Sequence, residues 1–284
     1  MMWLLAFALL AACHCAPAPK PKRGFVADGC KGAACQDVAL LTGSSWYYAY
    51  NPEDPYAPAQ HGNFVPMHWC LPLNVSVPSG TNLTFLLGPK YVGASCLVRS
   101  QGLPPHATHA RTHGHSCSEP NNLHNCNRSP EVIARAWSTV LANWHPPATA
   151  LVSPATAGNG IPWLDDFFGN CTLLYGPKGC QVSYVAVHDY SCTPSSTMAY
   201  LKSVHDRYSM PVWLTEFSCG DGAQKKPMAD HLAFMKEILP LLDAAPYVYR
   251  YSWMSASSAN RGLVDGTVGG SQTLTPVGEL YNTA

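Results

Sequence analysis

The chain is poor in charged side chains. Only 12% of its 284 residues are Asp, Glu, Lys or Arg, and 17 basic residues balance 17 acidic ones. About a quarter is usual for a soluble globular chain. A chain without net charge has no general attraction for nucleic acid or for an anionic membrane surface, so we expect neither as a partner. The composition favours a neutral polymer over a charged one as the ligand.

Long apolar runs are also missing. The run at 3–12 is too short to cross a bilayer, and small residues follow it. It therefore predicts a signal peptide at 1–15, although no basic residue precedes the run; a buried N-terminal helix is the alternative. The Pro/Lys-rich stretch 16–23 then predicts a short extended leader, with the folded domain at 24–284.

No CxxC pair of the zinc or redox kind occurs among the 12 cysteines, two of which lie in the predicted signal peptide. Disulfides are therefore expected. We predict Cys171–Cys180, which would close a short Gly/Pro loop, and Cys192–Cys219, which would join neighbouring strand ends. Four N-x-S/T sequons fit a secreted glycoprotein of the extracellular space or cell wall; they are Asn74, Asn82, Asn127 and Asn170.

Short apolar runs alternate with helix-like stretches along the chain. The runs are Ser45–Tyr50, Phe64–Trp69, Thr81–Leu87, Ala148–Ser153, Val182–His188, Pro211–Phe217 and Tyr247–Trp253. Helices are predicted at Pro130–Trp144, with Ser129 as the N-cap, and at Ser195–Tyr208 and Met228–Leu242. No Gly-rich phosphate loop of a doubly wound sheet is present. The pattern predicts an α/β fold, a single-domain (β/α)8 TIM barrel.

Catalytic residues of such barrels lie at the C-terminal ends of the strands. Those ends carry Trp69, His188, Tyr190, Glu216 and Trp253. A carboxylate among aromatic side chains suits a sugar site, because aromatic faces stack on sugar C–H groups and carboxylates do acid–base work. From the pattern alone, Glu216 is either a nucleophile or a residue that caps the next element.

An ordered series of motifs between Lys22 and Tyr281 resembles the catalytic core of glycoside hydrolase family 128, whose members are TIM-barrel endo-β-1,3-glucanases. The motifs are KRG (Lys22–Gly24), SWYY (Ser45–Tyr48), FVPMHW (Phe64–Trp69), FLLG (Phe85–Gly88), EPNN (Glu119–Asn122), AW (Ala136–Trp137), VAVHDY (Val185–Tyr190), PVWLTEF (Pro211–Phe217), YSW (Tyr251–Trp253) and LTPVGELY (Leu274–Tyr281).

The resemblance implies a retaining mechanism in which Glu216 is the nucleophile and Glu119 the acid/base. We expect a raised pKa for Glu119, supported by the negative charge of Glu216. The implied substrate contacts are Trp46, Tyr48, Trp69, Asn121, His188, Tyr190 and Trp253. For His188 a barrel-lining role is the alternative, and for Trp69 and Trp253 a core role. Trp137 and Trp144, on a predicted helix, are expected in the core.

Three single residues depart from the family pattern. Ala49 and Tyr50 stand where the family motif SWYYNW has Asn and Trp, and Ser183 stands where an Asp is often found. These changes would alter sugar contacts without removing either carboxylate.

A larger departure separates FLLG from EPNN. The family runs from its LLG strand directly into the acid/base as LLGxNEPN, whereas here an anomalous insertion occupies about 89–118, without strand or helix periodicity, and Ser118 replaces the Asn. If the Lys90 codon is AAG and the Ser118 codon AGC, removal of an intron between them joins AA to C and restores Asn. We therefore hypothesise that 91–117 is a retained intron or a gene-model artefact; its removal also takes away Cys96 and Cys117 and leaves eight cysteines.

The same insertion contains a His-rich run (His106, His109, His113, His115 and Cys117) whose spacing matches no metal site of known mechanism, so we predict neither metal nor cofactor. The sequence thus predicts a secreted monomer that hydrolyses β-1,3-glucan, a polysaccharide, with retention. Because the insertion precedes Glu119, a glucan-binding or wall-associated protein of the same fold without full activity is the alternative.

Overall fold

The computed structural model describes residues 20–28, 35–50, 55–56, 63–65, 67–68, 91–94, 119–123, 125–143, 150–220, 226–256, 262–266 and 271–284. The helices are α1 (Asp37–Leu40), α2 (Pro130–Asn143), α3 (Ile161–Tyr175), α4 (Pro194–Tyr208), α5 (Met228–Ala244) and α6 (Pro276–Thr283). Within these ranges no helix is both long and apolar enough to cross a membrane.

The strands form a parallel sheet that curves back on itself. They are β1 (Lys20–Val26), β2 (Ser44–Tyr48), β3 (Asn63–Val65), β4 (Met67–His68), β5 (Tyr91–Ala94), β6 (Ala150–Val152), β7 (Val182–Asp189), β8 (Val212–Phe217) and β9 (Val248–Trp253). Their order is β3-β2-β1-β9-β8-β7-β6-β5-β4. Because β3 and β4 are separated by a single residue in the chain, the two ends of this order meet. The predicted α/β barrel is confirmed; a small hairpin of β10 (Val264–Gly266) and β11 (Gln272–Leu274) accompanies it.

Two boundary predictions need correction. Strand β1 begins at Lys20, so Lys20–Arg23 belong to the barrel and not to an extended leader. The Lys22 ammonium donates to the backbone carbonyls of Asp243 (2.9 Å) and Ala245 (2.7 Å), which ties this strand to the end of α5. Strand β5 lies inside the insertion, between β4 and β6, where no regular structure was expected. The signal peptide and the predicted strand Thr81–Leu87 fall outside the described residues.

Helices and disulfides follow the sequence closely. The three predicted helices are present, and the Ser129 hydroxyl accepts a hydrogen bond from the Val132 N–H at the start of α2. Helices α1, α3 and α6 were not predicted. Both expected disulfides form: Cys171–Cys180 links α3 to the start of β7, and Cys192–Cys219 links the chain after β7 to the chain after β8.

The inside of the barrel holds an aromatic layer below its mouth. Trp46 makes an edge contact with Trp213, and the guanidinium of Arg250 lies about 5 Å from both rings. Gly24 of β1 permits this packing, since a Cβ there would lie 2.3 Å from the Trp46 ring. This layer closes the lower part of the barrel, so side chains higher on the strands define the site.

Candidate active site

Glu216 lies near the C-terminal end of β8 and points into the barrel. It pairs with His188 of β7 across a bulge between Val187 and His188. Such a bulge redirects a side chain without ending the strand pairing. Glu216 is 3% exposed and His188 is fully buried. The two strands therefore fix a carboxylate and an imidazole side by side in an interior position.

Tyrosine hydroxyls surround the Glu216 carboxylate. Tyr50 donates to Oε1 at 3.0 Å, Tyr190 donates to Oε2, and Tyr48 lies 3.4 Å from Oε1 while it donates to the Thr215 carbonyl at 2.9 Å. Burial, and then the charge of Glu216, raise the pKa values of Tyr48 and Tyr50 well above their usual range. These hydroxyls therefore stay protonated and act as donors to the Glu216 carboxylate.

Glu119 is held in the left-handed region of backbone conformation, at φ 81°. A non-glycine residue there is unusual and is typical of functional positions. Its N–H donates to the Ala155 carbonyl at 3.0 Å, which anchors it beside the end of β6. The side-chain amides of Asn122 and Asn125 donate to its Oε2 at 2.6 and 2.5 Å. A tight turn thus presents a buried carboxylate with one oxygen fixed.

His188 bridges the two carboxylates. Its Nδ1 lies 3.2 Å from Glu119 Oε1 and 3.5 Å from Glu216 Oε2. One oxygen from each carboxylate and one His188 nitrogen lie within 4.8 Å of one another. Glu119 and Glu216, which are far apart in the sequence, therefore meet in one cluster. Glu119, His188 and Glu216 are also the group of described residues with the donor types and spacing to hold a metal ion.

The expected pKa of Glu119 is corrected. Burial raises the pKa of Glu119, but the hydrogen bond and charge of His188 and the two Asn amides lower it by more than burial raises it. The Glu119 pKa therefore lies below its ordinary value. The sequence identified the nearby Glu216 charge and missed the positive neighbour and the two amide donors. Asn122 belongs to the EPNN motif, whereas Asn125 carried no signal.

The structure distributes the other predicted substrate residues between mouth and core. His188, Tyr190 and Tyr48 lie at the carboxylates. Trp253 does not lie there: it packs against Phe217 of β8 and Phe234 of α5 and is fully buried. The predicted sugar contact of Trp253 is therefore corrected to the alternative, a role in the core.

Trp46 and Asn121 also have scaffold positions. Trp46 is 1% exposed and donates to the Lys22 carbonyl at 3.0 Å, deep in the barrel, so its expected sugar contact is corrected to a core role. The Asn121 side chain exchanges two hydrogen bonds with the backbone of Ala157 and fixes the Glu119 turn; its sugar contact stays a prediction. Trp69 lies outside the described residues. Trp137 is fully buried, as expected.

Comparison with known proteins gives a family match over nearly the whole chain. The model of the family described as glycosyl hydrolase catalytic core matches residues 24–281. Alkali-sensitive linkage protein 1 of Schizosaccharomyces pombe is 31% identical over 136 residues. That match covers 46% of this chain and only 24% of the yeast protein.

Solved structures share the fold. An endo-β-1,3-glucanase of glycoside hydrolase family 128, subgroup I, from Amycolatopsis mediterranei, bound to laminaritriose, superposes with a TM-score of 0.66 at 24% identity over 92% of this chain and 98% of its own. A subgroup II endo-β-1,3-glucanase from Pseudomonas viridiflava gives 0.68 at 23% identity over 94% and 98%. A curdlan-specific exo-β-1,3-glucanase of subgroup III from Blastomyces gilchristii gives 0.66 at 22% identity over 94% and 100%.

Proposed function

The chain belongs to the glycosyl hydrolase catalytic core family, and from this premise we propose that it is a secreted retaining β-1,3-glucanase. Glu216 is the nucleophile and Glu119 the acid/base. The substrate is a neutral polysaccharide and the protein acts as a monomer without a cofactor. The proposal joins the family membership to the geometry of the two buried carboxylates.

The separation of the carboxylates carries the proposal. An oxygen of Glu119 and an oxygen of Glu216 lie within 4.8 Å of each other. Retaining glycosidases need about 5–5.5 Å between their carboxyl groups, because one attacks the anomeric carbon directly. Inverting enzymes need about 6.5–9.5 Å to leave room for a water molecule. The close spacing therefore favours double displacement.

In the first step Glu216 attacks the anomeric carbon while Glu119 gives a proton to the leaving glycosidic oxygen. The donors on both Glu216 oxygens orient this carboxylate for attack. In the second step Glu119 takes a proton from water, and the resulting hydroxide equivalent releases the sugar from Glu216. The anomeric configuration is inverted twice and so retained.

His188 supplies the proton that an ionised Glu119 lacks. With its pKa lowered, Glu119 is a carboxylate in the free site, and the proton between the two residues belongs to Nδ1 of His188, 3.2 Å from Glu119 Oε1. A bound sugar excludes water and lowers the local dielectric, which disfavours the ion pair relative to two neutral groups. Transfer of that proton then produces the neutral acid that the first step requires.

The substrate and the location have weaker support. Solved relatives of the same fold are named as β-1,3-glucanases, both endo- and exo-acting. Two disulfides and an exposed sequon at Asn127 accord with export. The predicted signal peptide at 1–15 would direct the chain into the secretory pathway.

Product stereochemistry tests the mechanism. Proton NMR of the first product from laminarin should reveal the β-anomer before mutarotation. Glu216→Ala with an activated aryl β-glucoside and azide should yield the α-glucosyl azide, because the external anion replaces the nucleophile. Glu119→Ala should yield the β-azide, because azide then attacks the glycosyl-enzyme. An α-anomer from the wild type, or the two azides exchanged, would refute the assigned roles.

The insertion is the specific observation that favours the alternative, a glucan-binding protein without turnover. We propose comparing the chain as written with a variant in which 90–118 is replaced by a single Asn, which restores the family motif. This variant also lacks β5, so the predicted strand Thr81–Leu87 would have to take its place between β4 and β6. Reducing-sugar release from laminarin in either form supports the enzyme. Binding without turnover in both forms supports the binding protein. Sequencing the transcript across this region decides separately whether 91–117 is translated.

A further inference from the structure

We propose that Glu119, His188 and Glu216 bind a borderline divalent transition-metal ion such as Zn²⁺, and that this ion inhibits the enzyme in competition with sugar. The binding site stands on its geometry alone, whereas the inhibition rests on the proposed function. Nothing in the mechanism above uses a metal; the ion would occupy the same groups that the chemistry needs.

The spacing of the three donor atoms fits a tetrahedral ion. Zinc binds carboxylate oxygen and imidazole nitrogen at about 2.0–2.2 Å, which sets the edges of a tetrahedron at about 3.3–3.6 Å. His188 Nδ1 lies 3.2 Å from Glu119 Oε1 and 3.5 Å from Glu216 Oε2. The third edge, between the two carboxylates, is within 4.8 Å. Two edges therefore match, and a small side-chain movement closes the third.

Charge favours the same ion. Glu119 and Glu216 are each 3% exposed, and the ion would displace the Nδ1 proton of His188 to solvent and take its place as the positive charge between them. Three protein ligands leave the fourth tetrahedral position for water or a sugar hydroxyl, as in open zinc sites.

The surroundings fix the donor atoms. Asn122 and Asn125 hold Oε2 of Glu119, so that Oε1 faces Nδ1 of His188. Tyr50 and Tyr190 donate to Oε1 and Oε2 of Glu216 and fix the orientation of that carboxylate. Support of this kind orients metal ligands and raises affinity.

The ligand set also predicts selectivity. One imidazole and two carboxylates suit Zn²⁺, whereas Mg²⁺ requires nearly octahedral oxygen coordination and gives up its waters reluctantly. An ion on this cluster removes the attacking lone pair of Glu216 and the proton-accepting oxygen of Glu119 together. Inhibition should therefore be complete at saturation and should be overcome by substrate.

Calorimetric titration of ZnCl₂ into the EDTA-treated, dialysed full chain tests the site. The His-rich run of the insertion can bind the same ion, so each variant is compared with the wild type. Glu119→Gln and Glu216→Gln preserve shape and remove a charged ligand, and each should weaken the affected Zn²⁺ site at least tenfold. Glu131→Gln, on the exposed face of α2, is the control and should match the wild type. MgCl₂ should give no comparable signal.

Zn²⁺ affinity that is equal within twofold in the wild type and in both Gln variants overturns the site. For inhibition, micromolar ZnCl₂ should raise the apparent KM for laminarin and leave kcat unchanged; an unchanged KM overturns the competition. If the metal-free chain releases no sugar, the proposed function fails while the titration still decides the site.

Discussion

The Tyr50 hydroxyl donates a 3.0 Å hydrogen bond to Oε1 of Glu216. This residue stands where the family motif has Trp, so the departure seen in the sequence adds a direct donor to the proposed nucleophile. Met254 Sδ lies 3.1 Å from the same hydroxyl and is the weaker acceptor, so the carboxylate is the preferred partner. The chain thus carries one contact to Glu216 that its family resemblance does not imply.

Tyr50→Phe should lower kcat for laminarin about tenfold, since a charge-assisted hydrogen bond contributes roughly 1.5–3 kcal/mol. Steady-state kinetics on laminarin measures this effect.

Tyr56→Phe is the matched control, because it removes the same hydroxyl from a carboxylate outside the site, Asp37, at 2.8 Å. It should leave kcat unchanged. An equal loss of kcat in both variants would mean that the effect of Tyr50 is general destabilisation.

Asn125→Ala should raise the pKa of Glu119 toward its ordinary value, because one of two amide donors to Oε2 is lost. A ¹³C NMR titration of the Glu119 carboxyl should therefore give a higher pKa in this variant than in the wild type. Asn170→Ala on α3 makes the same chemical change far from the site and should not move it. A lower pKa in Asn125→Ala would contradict the assigned donor role.

Ionisation of Glu119 should also stabilise the fold. Its folded-state pKa lies below the unfolded value of 4.5, so the stabilisation is present above pH 4.5 and is lost as the pH falls through the folded value. Urea unfolding of Glu119→Gln should therefore depend less on pH between 5 and 2 than unfolding of the wild type. An identical pH dependence would refute the lowered pKa.

The Cys171–Cys180 and Cys192–Cys219 disulfides should have different roles. Replacing Cys171 and Cys180 with Ser should cost about 2–4 kcal/mol of unfolding free energy and leave kcat intact, since this bond lies away from the site. Replacing Cys192 and Cys219 with Ser should also lower kcat, because Cys192 follows Tyr190 by two residues and the Gly220 N–H binds the Tyr190 carbonyl at 3.1 Å. Thermal unfolding and laminarin turnover, measured on both variants, separate the two effects; equal losses of kcat would contradict the assignment.

Trp253→Phe should lower the unfolding free energy by about 1–3 kcal/mol through loss of core packing, with KM unchanged within twofold. The ring is fully buried against α5 and has no access to sugar. A tenfold higher KM at unchanged stability would restore it as a sugar platform.

The sequence by itself determined the barrel, the helices α2, α4 and α5 and the Cys171–Cys180 and Cys192–Cys219 disulfides, and it predicted the two carboxylates that the structure brings together. These features depend on local periodicity, on spacing and on motifs that survive in order along the chain. It did not determine the start of β1, because this Pro/Lys-rich stretch resembles an extended leader in the sequence. The stretch is a barrel strand in the structure, where the Lys22 ammonium donates to backbone carbonyls at the end of α5.

Only the tertiary structure decided which aromatic residues reach the site. Trp46, Tyr48 and Trp253 all lie on strands. The Trp46 side chain fills the barrel, Tyr48 contacts Glu216, and Trp253 faces the helices. The difference follows from the direction in which each side chain leaves its strand and from its height in the barrel. The pKa of Glu119 was likewise beyond the sequence, because its sign depends on distances to His188, Asn122 and Asn125 that only the closed barrel brings within hydrogen-bonding range.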